Sequence, residues 1–143
     1  MAAKNVLLIG HREPIHVHFI PLLIGQWRQK ELAVEKPDVE IHETPEDLER
    51  SAMAHLQQGN HVVALVYSEI ELDDDYWLNV MRLFTVHSIA LIVVASVLRD
   101  SPLLMPVRAL RAHILVLPYS PVQLRAVVCD AFLPQDAQNS AGP

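Results

Sequence analysis

Residues 113–128, HILVLPYSPVQLRAVV, hold a short apolar run, a Pro-Tyr-Ser-Pro turn and the opening of an amphipathic helix. The run at 114–117 is aliphatic and β-branched, too short for a helix and without polar alternation. A strand of this kind is covered by protein on both faces, as in a parallel sheet. Ser120 stands directly before Pro121, the arrangement of a capping hydroxyl followed by a first-turn proline whose missing N–H has no partner to lose. The spacing therefore predicts a helix from Pro121.

Outward from this stretch the same unit recurs. Residues 5–10, 61–67 and 89–95 are continuously apolar or nearly so, whereas 39–43 alternates apolar with polar, as an edge strand with one solvated side does. Thr44-Pro45-Glu46-Asp47 is a helix start with acids at the positive end of the dipole. That helix carries its stripe on Leu48, Ala52, Met53 and Leu56 to about Gln58, where Gly59-Asn60 stops it. Residues 14–29 have helical spacing, which Pro21 and Gly25 shorten toward a start near Pro21. Asp73, Asp74 and Asp75 cap a helix through Trp77, Met81 and Phe84; Ser101-Pro102 opens a shorter one, interrupted near Pro106 and ending around Ala112. Five strand–helix units imply an α/β fold: a five-stranded parallel sheet between two helical layers, joined by right-handed crossovers. The polar second strand belongs at an edge, which gives the flavodoxin-like (βα)5 order 2-1-3-4-5. Residues 1–133 are expected to form one domain and 134–143 a tail or the start of a linker.

The stretch LPYSPVQLRAVV resembles the last strand, loop and helix of response-regulator receiver domains, in which a Lys-Pro-aromatic triplet ends the fifth strand. Pro118 and Tyr119 keep that triplet, while Leu117 stands in place of the phosphate-binding lysine. The resemblance extends over the folded length. It places Gly10 and His11 where the family has its magnesium-binding acids, Val66 (or Tyr67, one register on) at the phospho-acceptor, and Ala95 (or Ser96) at the hydroxyl. A hard cation needs oxygen ligands and a transferred phosphoryl group needs positive charge, so losing all of these together implies a receiver that has abandoned aspartyl phosphorylation. What the resemblance then implies is a pseudo-receiver: a protein-interaction module of signalling or regulation, not an enzyme, with no cofactor.

Composition is consistent with that expectation. The chain has 143 residues, 51% of them hydrophobic, a net charge of −6 and a single cysteine. It has no Lys/Arg cluster of the kind that holds nucleic acid, and no apolar run approaching the roughly 20 residues that cross a bilayer. The start MAAKNVLLIG lacks the long hydrophobic stretch and cleavage site of a signal peptide, so a cytoplasmic location is expected. Cys129, among apolar helix neighbours, reads as core filler rather than nucleophile. His11, His16 and His18 have no Cys or carboxylate partner at ligand spacing and read as loop histidines rather than a metal site. The rival from another class is phosphotransfer through a phosphohistidine at His11, as in mannose-type IIA domains. Those domains, however, resemble Ser-His-Gly, and here Gly10-His11-Arg12 is followed by Glu13 and Pro14. One glycine after the first strand makes no phosphate cradle, and acids between Glu69 and Asp75 read as a solvated, helix-capping loop.

The last helix has apolar residues on more than one face, and a sheet buries one stripe. The excess, with neighbours on the fourth helix, is expected to form a docking surface. Leu103, Leu104, Met105, Tyr119, Val122, Arg125 and Cys129 are its candidate residues. In receivers the corresponding fourth-helix, fifth-strand and fifth-helix face often mediates dimerisation, so a homodimer is expected there, with a protein partner in the pathway.

Overall fold

The structure is a computed structural model that describes residues 4–10, 27, 34–67, 82–95, 105–116 and 119–133. Strands β1 (Asn5–Gly10), β2 (Asp38–His42), β3 (His61–Tyr67), β4 (Ala90–Ala95) and β5 (His113–Val116) form one sheet in the order 2-1-3-4-5, every pair parallel. Helices α1 (Pro45–Gln57), α2 (Met105–Ala109) and α3 (Pro121–Phe132) are joined by a helical segment at 82–86. Among the described residues no helix is long and apolar enough to cross a membrane.

Alternation of side chains along each strand divides the interior in two. Val6, Leu8, Ala64 and Val66 face a core closed by Leu48 and Ala52 of α1 and by Phe84. Leu7, Ile9, Leu65 and Val94 face the other, closed by Leu124, Val128 and Ala131 of α3. Trp27 belongs to this second core, its indole Nε1–H donating to the carbonyl of Val34 at 2.9 Å. The rest of the segment at 14–29, the acidic loop, Trp77, Met81 and the tail lie outside the described residues.

Of the expected helix starts, Thr44 and Ser120 fall on described residues and both cap as expected, while Asp73 to Asp75 and Ser101 lie outside them. Thr44 accepts from the Asp47 N–H at 3.2 Å. Ser120 forms a reciprocal capping box with Gln123, at 3.1 Å and 2.8 Å. The bounds of β2, β4, β5 and α2 differ from the sequence reading. Strands β2 and β5 each begin one residue earlier, because Asp38 pairs with Val6 and His113 with Ile92. Strand β4 begins one residue later, because the Ile89 N–H is engaged by the Phe84 carbonyl at 2.8 Å. Helix α2 runs through Pro106 and stops at Ala109, short of Ala112.

The reason lies in how helices return to strands. After α1, the Gly59 N–H bonds Leu56 O and the Asn60 N–H bonds His55 O, a Schellman ending with Gly59 at φ 79°. The segment at 82–86 ends the same way, Ser88 bonding Thr85 O and Ile89 bonding Phe84 O, with Ser88 at φ 60°. Arg111, at φ 59°, bonds Arg108 O after α2. Two of these three left-handed positions therefore carry a Cβ, which is disfavoured there by roughly 1–2 kcal/mol. Ser88→Gly and Arg111→Gly are each expected to raise stability by about 0.5–1 kcal/mol after glycine's entropy is subtracted, read as a higher urea midpoint with unchanged m.

Candidate functional site

The carboxyl ends of β1, β3 and β4 bring three of the sequence-predicted positions to one sheet face. Gly10 and Val66 are direct neighbours across the β1–β3 pair, with His42 opposite Gly10 on β2 and Val93 opposite Val66 on β4. The register sets Val66, not Tyr67, beside Gly10. Ala95 lies two residues beyond Val93 on the same face and pairs with Val116. Val66 is 1% exposed and Ala95 fully buried, and both belong to the core closed by α1. These positions offer a cation no carboxylate and a phosphoryl group no hydroxyl. His11, Ser96 and Leu117 lie outside the described residues.

The candidate docking residues separate. Val122 is 68% and Met105 65% exposed. Tyr119 is half-buried against the core closed by α3, and Arg125 is half-buried. Cys129 has to be removed from the surface: it is 8% exposed and packs inward with Leu124, Val128 and Ala131. Helix α3 contacts β3, β4 and β5 at once, so it buries a broader stripe than one strand would take. Along α3 the exposed apolar residues are Val122 and Ala126. Leu103 and Leu104 lie outside the described residues.

A polar cluster that sequence reasoning missed joins β2 to α1. Glu40 Oε2 meets His55 Nε2 at 2.5 Å, and Glu40 Oε1 accepts from Ser51 Oγ at 3.0 Å. Asn60, buried, accepts from the Lys4 N–H on Oδ1 at 3.3 Å and turns Nδ2 to His55 Nδ1 at 3.1 Å. An amide nitrogen only donates, so Nδ1 is the acceptor and the Nε2–H of His55 donates to Glu40. His42 Nε2 lies 3.4 Å from Glu40 Oε1 but has no hydrogen bond among the described residues. Among the described residues, no group of three His, Cys, Asp or Glu side chains suits a metal. The signal was present in sequence as Glu40 and His42 two apart on a strand and Ser51 and His55 four apart on a helix.

Burial opposes ionisation of Glu40, but the hydrogen bonds from His55 and Ser51 outweigh it and hold the carboxyl below its usual range. Burial pushes the His113 imidazole down, partly offset by the Asp130 carboxylate of α3. Both groups bind a proton more weakly folded than unfolded, so each destabilises the fold on acidification. The His113 contribution is lost as pH falls below about 6.5, and that of Glu40 as pH falls below about 4.5. Urea midpoints measured from pH 7 to pH 3 are expected to fall in two phases. His113→Gln should remove the upper phase and Glu40→Gln the lower; an unchanged profile in either variant would refute that assignment.

No protein-family model matches the chain, and no curated protein matches it in sequence. Solved structures do match. The signal receiver domain of a Luxo repressor protein from Vibrio parahaemolyticus is 14% identical at a TM-score of 0.63, covering 99% of both chains. A response regulator receiver protein from Burkholderia phymatum is 12% identical at 0.66, covering 90% of this chain and 95% of its own. A CheY-like receiver domain protein from Methanospirillum hungatei JF-1 is 15% identical at 0.60, covering 99% and 100%. At these identities the likeness concerns the fold: the chain has the fold of response-regulator receiver domains.

Proposed function

We propose that this chain is a receiver-fold domain that no longer takes up phosphate and acts in signalling or regulation by binding protein, without enzymatic activity of its own. The observation that carries the reading is Val66. The receiver resemblance puts it at the phospho-acceptor; it lies beside Gly10 and belongs to the core closed by α1. An aspartate in that place would lose its hydration among the aliphatic side chains of that core. A fold alone does not assign function, and it is these side chains that favour the reading over phosphotransfer.

The test is a magnesium titration with beryllofluoride, a phosphoryl analogue, followed in the amide spectrum of the whole chain. No saturable shifts are expected at Gly10, Val66 or Ala95; saturable shifts there would overturn the proposal.

Partner binding is assigned to Met105 and Val122, large apolar side chains exposed at the starts of α2 and α3. A second copy of the chain is the first partner to test. Tyr119 packs on the core, so replacing it would confound docking with folding. Met105→Glu combined with Val122→Glu should instead leave the unfolding free energy within about 0.5 kcal/mol, since both sites are exposed. Light scattering should show a dimer in the parent and a monomer in the double variant. A monomeric parent, or a dimer that survives both changes, would refute this placement.

A further inference from the structure

At the opposite end of the sheet, where β3, β4 and β5 begin, a half-open cavity of about 570 Å³ has Leu56, Leu91 and Phe132 among its apolar lining. This is within the range of small-molecule pockets, roughly 300–1,000 Å³. Its titratable lining among the described residues is basic, namely His61, Arg111 and His113, in a chain whose net charge is −6. Ser88 and Arg111, the two non-glycine residues with positive φ among those described, both line it. Folding alone would favour glycine at both places. The turns nonetheless place a serine and an arginine in the lining of one cavity, and backbone strain of this kind collects where side chains bind something.

We propose that this cavity binds a small amphipathic monocarboxylate, its charged end taken by Arg111 and His113 and its apolar body laid against Leu56, Leu91 and Phe132. A single negative charge fits better than a phosphate. Residues at or near the carboxyl ends of α1, the segment at 82–86, α2 and α3 all contribute to the lining, and their dipoles oppose high anionic charge density. Asp130 is the acid whose charge reaches His113, and it sets the same limit. A bound carboxylate would favour the protonated imidazole, so binding should tighten as pH falls from 8 to 6. The site is separate from the carboxyl end of the sheet, and its test is independent of whether phosphate chemistry survives there.

Sodium octanoate is the probe and 1-octanol its uncharged counterpart, each titrated into the whole chain below micellar concentration and followed in the amide spectrum. Octanoate is expected to give saturable shifts at Ser88, Arg111 and His113, with octanol at least about tenfold weaker. Arg111→Gly should weaken octanoate binding by about tenfold while its urea midpoint stays level or rises, so lost binding cannot be ascribed to lost folding. Absence of saturation with octanoate, equal binding of octanol, or unchanged affinity in Arg111→Gly would each overturn the proposal.

Discussion

The burial of β1, β3 and β4 on both faces is the constraint on which the rest of this structure depends. From Val6 to Ile9, Val62 to Val66 and Leu91 to Ala95, each side chain is buried, alternately in one core and the other. A one-residue slip of any of these strands would exchange the two sets, so pairing, strand order and helix placement are set together. The burial runs to Val66 on β3 and to Ala95 on β4, so the core reaches close to the carboxyl end of the sheet.

The two helical layers meet the sheet differently. Helix α3 lies over three strands and buries a broad apolar stripe, fixed at its start by the Ser120–Gln123 box. Helix α1 buries a narrower one around Leu48 and Ala52, and its flank is tied to β2 through Glu40. That attachment is polar because β2 is an outer strand whose side chains are only half-buried.

Much of this was legible in the chain. Apolar continuity marked the inner strands, polar alternation marked β2 as the edge, and Thr44-Pro45 and Ser120-Pro121 announced their helices, since each of these signals is local. The sequence left Val66 and Tyr67 open, and the pairing of β1 with β3 sets Val66 beside Gly10. What escaped depended on contacts across space. The cluster of Glu40, His55 and Asn60 forms only when β2, α1 and the turn before β3 meet. Ser88 and Arg111 take a glycine-like conformation without being glycine, so the turns that shift β4 and shorten α2 had no signature. Cys129 read both as core filler and as a docking candidate, because the width of the stripe under α3 depends on how many strands it crosses; the first reading holds.

The ties on Glu40 have a consequence for how such domains can associate. An outer strand of a parallel sheet is a template for another strand, and proteins guard it with charge. Along β2, Asp38 pairs with Lys4 at 3.2 Å and Glu40 is held by partners on α1. An added strand would have to accommodate those carboxylates without disturbing the partners that neutralise them. At the other margin β5 is only four residues long, too short to offer an extended ladder. Both margins are thus poor templates for continuing the sheet, which favours assembly through helical faces and guards the fold against edge-to-edge aggregation.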